Sequence, residues 1–253
     1  MKTDRLIEME KYVLQKETVS MEELRARFDV SMNTVRRDVN ELLCKGVAEK
    51  VYGGVCARKT PEQSLVPFEC RRIDNEQAKR SIGERAAAMV RDGDVIYLDS
   101  GTTTLHVAEH LARRAELTVV TNNLEAIVRL VPCENITVIV LPGQLRRKTN
   151  SFTGLEAARA LRGYNIRLAL MASSGATLHG VTNSSPLEYE IKRSALEISQ
   201  SSGLLLAADK FGVAGLMTYA TFGDFDSIIT ERPLSKEFEQ RIAESGSQLI
   251  IAG

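Results

Sequence analysis

Residues 31–54 read SMNTVRRDVNELLCKGVAEKVYGG, and this stretch decides the character of the first domain. Ser31 is placed to cap a helix. Val35, Val39, Leu42 and Leu43 recur at helical spacing and form one apolar stripe. Asn33, Arg36, Arg37 and Asn40 fall on the opposite side. A helix that buries one stripe and exposes Asn and Arg suits the major groove, where these side chains reach base edges and phosphates. Alone, the pattern also fits any solvated amphipathic helix, so the flanking residues decide.

Upstream, Leu6, Met9 and Val13 share one helical face, with Ile7 and Leu14 beside them, and predict a helix over 5–16. Ser20-Met21-Glu22-Glu23 reads as a capping box, the serine taking an orphan amide while the glutamate reaches back. A second helix then runs to about Phe28, with Leu24 and Phe28 inward. Asp29-Val30 leaves a short turn before Ser31. Two short helices, a tight turn and a third helix bearing Arg36 and Arg37 make a helix-turn-helix. After Gly46, residues 47–52 alternate loosely and close at Gly53-Gly54, a small hairpin that forms a wing. The expected DNA contacts are Ser31, Asn33, Thr34, Arg36, Arg37, Asn40, Lys50, Tyr52 and Gly53, with Lys45, Arg58 and Lys59 reaching phosphates from the flanks.

Composition narrows the alternatives. The chain has 253 residues, enough for two domains. Lys plus Arg and Asp plus Glu are both 33, so any nucleic-acid surface must be local rather than global. Aromatics are 5% and Trp is absent, which argues against a stacking platform for single strands. Cys44, Cys56, Cys70 and Cys133 form no CxxC pair and read as structural, reduced thiols. A charged N-terminus without an apolar signal core, and no run of membrane-spanning length, predict a soluble cytoplasmic protein.

Residues 58–77 are polar, broken by Pro61 and Pro67, and read as a linker between a DNA-binding domain over 1–57 and a larger domain over 78–253. In the latter, apolar strand candidates at 95–98, 117–120, 136–141, 168–172, 204–208, 227–230 and 248–252 interleave with helices at 104–113, 124–130, 154–161, 187–199 and 235–245. That alternation predicts an α/β fold with a doubly wound, mostly parallel sheet. Ligands of such sheets sit beyond the carboxyl ends of the strands. The first such end is Asp99-Ser100-Gly101-Thr102-Thr103-Thr104, where backbone amides, hydroxyls and a helix N-terminus converge on an anion, with phosphate the natural guess. The same stretch also fits an ordinary Ser/Thr-capped helix. Thr121-Asn122-Asn123 repeats the strand-to-polar-turn pattern. Pro142-Gly143-Gln144-Leu145-Arg146-Arg147-Lys148 brings cations to the same edge.

Other chemistry is weaker. His106-Val107-Ala108-Glu109-His110 spells an inverted zinc-protease motif but lacks a third ligand, and no metal or other cofactor is expected. His179 reads as a loop residue. Glu188 and Lys192, four apart on a helix, read as a plain ion pair. Proton abstraction beside a carbonyl needs a positioned base, serine is not one unaided, and no catalytic residue is assigned.

The chain resembles the DeoR family of bacterial transcription regulators. In the first domain the resemblance rests on Ser31, Thr34-Val35-Arg36-Arg37-Asp38, Leu42, Gly46 and Tyr52-Gly53-Gly54. In the second it rests on Asp92-Gly93-Asp94, Asp99-Ser100-Gly101-Thr102-Thr103, Thr121-Asn122, Pro142-Gly143 with Arg146, Ser151, Gly154, Glu188 with Lys192, and Lys210-Phe211-Gly212. It implies DNA contacts from Arg36 and Arg37, a structural place for Asp38, and an effector domain similar in fold to ribose-5-phosphate isomerase. It further implies a repressor of a carbohydrate-utilisation operon, a phosphorylated sugar as effector, and a dimer or tetramer for operator half-sites. The expected effector contacts are Asp99, Ser100, Gly101, Thr102, Thr103, Thr104, Thr121, Asn122, Gly143, Arg146 and Lys210. The chain departs from the family at the pocket edge: Gln144 replaces a second glycine, Met171-Ala172-Ser173-Ser174-Gly175-Ala176 replaces an acidic loop, and Ala207-Ala208-Asp209-Lys210 shortens the approach to Lys210-Phe211-Gly212. The alternative is a sugar-phosphate isomerase-like enzyme with an appended DNA-binding module.

Overall fold

The computed structural model describes residues 2–44, 46–57 and 66–253. The expected phosphate contacts of Lys45, Arg58 and Lys59, and the linker stretch around Pro61, lie outside the described residues. The chain divides into two compact units, Met1–Ile73 and Asp74–Gly253.

The first unit runs α1 (Lys2–Lys16), β1 (Thr18–Ser20), α2 (Met21–Phe28), α3 (Met32–Cys44), β2 (Ala48–Val51), β3 (Gly54–Ala57) and α4 (Phe68–Ile73). Its core is the one the apolar spacing implies: Leu6, Met9 and Val13 from α1, Leu24 from α2, and Val35, Val39 and Leu42 from α3 are all buried. Ile7 and Leu14 turn outward instead. Ser31 caps α3 by accepting the Thr34 amide at 3.2 Å, and Ser20 caps α2 by accepting the Glu23 amide at 3.1 Å.

The expected capping box at α2 is only half formed. The Glu23 carboxylate accepts from the Tyr12 hydroxyl at 2.7 Å, because Ser20 also belongs to β1, which pairs with β3 opposite Gly54. The wing is the antiparallel β2–β3 hairpin, and β1 completes a three-stranded sheet in the order β1-β3-β2. Two further expectations are corrected. Residues 68–73, placed in the linker, form α4, because Phe68 is buried and anchors a helical turn. Cys44 and Cys70, read as reduced thiols, are joined in a disulfide with their Cα atoms 5.2 Å apart, while Cys56 and Cys133 are free. Spacing alone did not reveal that partnership, since the residues stand 26 apart on separate helices.

The second unit runs α5 (Glu76–Ala87), β4 (Val95–Leu98), α6 (Thr102–Glu109), β5 (Leu117–Thr121), α7 (Leu124–Leu130), β6 (Ile136–Val140), β7 (Gln144–Arg146), β8 (Ser151–Thr153), α8 (Leu155–Leu161), β9 (Leu168–Ala172), β10 (Gly175–Thr177), β11 (Gly180–Asn183), α9 (Pro186–Ile198), β12 (Ser201–Leu205), β13 (Met217–Ala220), β14 (Ser227–Thr230), α10 (Lys236–Glu244) and β15 (Gln248–Ile251). Seven strands form one sheet, β15-β14-β12-β9-β4-β5-β6, and every neighbouring pair is parallel. Alternate residues feed two cores: Tyr97, Ala169 and Met171 on one face, Ile96, Leu98 and Leu170 on the other. Helices therefore cover both faces, as near-continuous apolar strands require. The β7–β8 hairpin and the small antiparallel sheet β10-β11-β13 were not anticipated, since their strands are only three or four residues long, too short for an apolar alternation to register.

β4 has β5 on one side and β9 on the other, so the chain reverses its direction of travel across the sheet there. Ligands of open α/β sheets bind at such a point.

Two tyrosines lie wholly inside this unit. Burial pushes the Tyr219 phenol up to about 12, against a smaller downward pull from the Lys192 cation. Burial, with the Asp99 and Glu188 carboxylates, raises Tyr97 well above its ordinary value. An unfolded tyrosine ionises near 10, so the folded state holds these protons across a window where the unfolded chain has released them. The resulting stability is complete below about pH 10 and is lost as pH rises through about 12. Thermal melts should therefore show a falling midpoint over that window. Tyr219→Phe should remove about 2–3 kcal/mol of the loss, and an unchanged alkaline slope in that variant would contradict the account.

Candidate functional site

Helix α3 carries the DNA-reading candidates. Asn33, Arg36, Arg37 and Asn40 are exposed, and their i, i+3, i+4, i+7 spacing puts them on one face. Asp38 is 1% exposed and accepts from Arg5 Nε at 2.8 Å, while Arg37 Nε stands 4.0 Å from its other oxygen. Asp38 thus ties α1 to α3 through Arg5, which is a structural role. The Ser31 hydroxyl meets both the Thr34 amide and the Thr34 hydroxyl, so these two expected contacts also build the helix start. Lys50 is exposed on β2, and Tyr52 and Gly53 form the exposed wing tip.

The turn after β4 is buried throughout, from Asp99 to Thr104. Its backbone must pass close to β9: a Cβ on Gly101 would overlap Ala172 Cβ. The Gly101 amide donates to Thr104 Oγ1 at 3.0 Å, and that hydroxyl donates to the Asp99 carbonyl at 2.6 Å. Thr104 therefore closes the turn. Thr102 and Thr103 open α6, and the amides of a helix's first turn have no partner within their own helix. Amides so placed, at the positive end of a helix, favour an anion.

Neighbouring turns are cross-linked to this one. Asn123 accepts from the Glu125 and Ala126 amides and donates to the carbonyls of Asp99 and Gly101. The Thr121 hydroxyl donates to the Leu98 carbonyl at 2.6 Å. Asn122 donates to the Phe152 carbonyl at 3.0 Å and accepts from the Tyr97 hydroxyl at 3.1 Å. Thr104, Thr121 and Asn122, expected as effector contacts, thus have their polar side-chain groups engaged in shaping the turns.

The expected surface ion pair between Glu188 and Lys192 does not form, and this is the main correction at the site. Both are buried on α9. Lys192 pairs with Asp99 and donates to the Ala172 carbonyl at 2.8 Å. Burial alone would depress its pKa, but Asp99, Tyr219 and Glu188 outweigh that and the net shift is upward. Asp99, in turn, accepts from the Ala172 amide at 3.0 Å. Glu188 accepts from the Ser100 hydroxyl at 2.9 Å, the Ser151 hydroxyl at 3.0 Å and Asn183 Nδ2 at 3.2 Å. Sequence reading passed over Ser151, Asn183, Glu188 and Lys192 as contacts. The available signal was two charges four apart on a helix whose same face also buries Ile191 and Ala195.

The cations of the third turn behave differently. Gly143 is required where it stands, because a Cβ there would lie 2.7 Å from the Thr153 carbonyl oxygen. Arg146 on β7 is paired with Ser151 on β8, and directly opposed residues of a hairpin project from the same face. Arg146, Arg147 and Lys148 are exposed. Lys210, by contrast, is held by Asp209 at 2.9 Å and Asp74 at 3.3 Å; burial works to lower its pKa, and these carboxylates raise it overall. Asp92 and Asp94 serve the opposite end of the sheet, Asp92 accepting from the Ala115 amide and Asp94 binding Arg167 at 2.5 Å. In the His-x-x-Glu-His stretch, His106 Nδ1 lies 3.0 Å from Glu109, which also binds Arg129. His179 is exposed in the turn between β10 and β11.

Comparison with known proteins matches both units. A family profile described as DeoR-like helix-turn-helix domain covers residues 5–60, and one described as DeoR C terminal sensor domain covers residues 74–232. The chain is 43% identical to the HTH-type transcriptional regulator IolR of Bacillus subtilis over 95% of each chain. It is 26% identical to the HTH-type transcriptional repressor GlcR of the same organism, over 98% of this chain and 95% of that one. Among solved structures, ribose 5 phosphate isomerase A from Neisseria gonorrhoeae aligns with a TM-score of 0.39 and 14% identity over 55% of this chain and 54% of that one. The exposed Asn/Arg helix, the wing and the α/β unit that follows them in the chain are thus the parts of a known kind of protein: the chain belongs to the DeoR family of helix-turn-helix transcriptional regulators.

Proposed function

We propose that this regulator is a cytoplasmic repressor of a carbohydrate-utilisation operon, controlled by a phosphorylated sugar, and that it works as a dimer or tetramer on paired half-sites. Recognition falls to Asn33, Arg36, Arg37 and Asn40 in the major groove, with Lys50, Tyr52 and Gly53 on the flanking backbone. The name of the repressor relative supports the sign of control. The relatives are named as regulators, so the isomerase-like alternative is set aside.

One observation carries the effector assignment: first-turn amides of α6 lie in the same buried turn as Ser100, whose hydroxyl meets the Glu188 carboxylate. The two halves suit different chemistry. Amides at a helix N-terminus favour an anion. A buried carboxylate repels an anion and accepts from hydroxyls. Asp99 and Glu188 against Lys192 leave the formal charge of this cluster at −1, so a free phosphate is poorly matched to the whole site. A ligand with a phosphate at one end and hydroxyls at the other satisfies both halves, with Arg146 the nearby cation for its phosphate.

Binding to DNA is tested by selecting a duplex from a random-sequence library with the full chain and titrating variants against it. Arg36→Ala and Arg37→Ala should each weaken binding by about 1–3 kcal/mol if they read bases, with relaxed preference at one position. A phosphate contact would instead lower the salt slope by about one. Wild-type affinity in both variants would remove α3 from the interface.

The effector assignment predicts that a thermal-shift screen of pentose and hexose phosphates finds at least one that raises the midpoint, since a native-state ligand stabilises by about 2.7 kcal/mol at a hundred times its Kd. Unphosphorylated sugars and inorganic phosphate should each shift it far less. Arg146→Ala should weaken the phosphorylated ligand about tenfold. Equal shifts with the unphosphorylated sugar would remove the anion half of the site.

A further inference from the structure

We propose that Cys44 and Cys70 form a reversible thiol–disulfide pair in the DNA-binding head, with low-molecular-weight disulfides as the oxidant. Their Cα atoms are 5.2 Å apart, inside the range that a disulfide spans. Cys44 is the last residue of α3, the helix with the DNA-reading face, and Cys70 lies within α4. The bond therefore closes a covalent ring that contains the whole β2–β3 wing. It joins the end of the reading helix to the helix that follows the wing.

Helix α4 is six residues long, too short to persist without tertiary anchors. Phe68 is one anchor, buried at 1% exposure. The sulfur bridge is a second. Glu69 and Arg72 pair with each other at 2.9 Å. Both cysteines are partly exposed, so a small thiol or disulfide reaches them. A regulator that meets DNA inside a cell also meets the thiol pools there, and disulfides under those conditions are usually transient or redox-sensing rather than permanent.

The exchange balances without any further reagent. One cysteine, as thiolate, attacks a small disulfide RSSR, forms a mixed disulfide and expels one RS⁻, which takes a proton to become RSH. The second cysteine, as thiolate, attacks the protein sulfur of that mixed bond and expels the second RS⁻. Two protein thiols lose two electrons and two protons, and RSSR gains them as two RSH. The oxidised head holds α3 and the wing in one ring and is pre-organised for DNA; the reduced head leaves α4 held by its non-covalent anchors.

The test uses the full chain with Cys56→Ser and Cys133→Ser, equilibrated in glutathione buffers from fully reduced to fully oxidised and then trapped with a maleimide. Intact mass should show both thiols free in reduced buffer and both protected together in oxidised buffer, with peptide mapping joining Cys44 to Cys70. Adding Cys44→Ser should convert the product to a single glutathione adduct. On the library-selected duplex, the oxidised form should bind about three- to tenfold tighter than the reduced form. Thiols that stay free in oxidised buffer, or a bond that survives fully reduced buffer, overturn the proposal. Equal affinity in the two states overturns the switch. The affinity readout rests on the DNA-binding assignment, whereas thiol trapping does not, so failure to select any duplex is distinguishable from failure of the redox pair.

Discussion

Lys192 enters the interior of the sensor unit as a cation beside Asp99, and the arrangement of three elements depends on that contact. Asp99 directly follows β4, Ala172 ends β9, and Lys192 of α9 binds both. Such a pair contributes little net stability, because two ions must leave water, but removing one member strands the other at a cost of about 3–5 kcal/mol. Its value is positional. It fixes α9 over the point where the sheet changes direction, and Glu188, one helical turn earlier, is carried with it onto the Ser100 hydroxyl. A single buried pair therefore sets both the shape of the turn and the chemistry facing it.

The other charge pairing that matters lies in the first unit. Asp38 is buried on α3, and its contact with Arg5 joins α3 to α1 beside the aliphatic core they share. The Arg5 guanidinium is raised above its ordinary pKa by its hydrogen bond to Asp38, so that side of the pair stays charged throughout any accessible pH. Both units thus use one acidic residue, nearly inaccessible to water, to hold the element that presents the candidate site.

What the amino-acid order revealed follows the range of the interaction. The apolar stripes of α1 and α3, the caps at Ser20 and Ser31 and the strands at Val95–Leu98 and Leu168–Ala172 are set by neighbours within a turn or two, and all are where periodicity puts them. Glu188 and Lys192 were misread because their partners stand 88 and 93 residues upstream. At i, i+4 on a helix they look like a surface pair, and only the assembled sheet shows that their face is inside. The same reason hides the cysteine bond and the pairing of β1 with β3. The Glu23 carboxylate was assigned to the wrong donor because a local motif competed with a strand and a distant tyrosine. Short strands of Ser, Thr and Gly, such as β10, carry no apolar alternation to detect.

The hydrogen bonding of the sensor turn also bears on selectivity. Glu188 accepts from two serine hydroxyls and an amide, the positions that ligand hydroxyls would take in the proposed mode. Binding in the proposed manner exchanges one set of hydrogen bonds for another, and a typical exchange nets only about 0.5–1.5 kcal/mol each. Affinity for a generic polar molecule is then small. A ligand that displaces Ser100 from Glu188 without supplying a hydroxyl leaves a buried carboxylate under-satisfied, and sites of this kind reject analogues lacking the hydroxyl far more strongly than those differing by a methylene. In the proposed binding mode the helix end supplies the attraction and the carboxylate supplies the discrimination, so the number and placement of hydroxyls near the phosphate would decide which sugar is read.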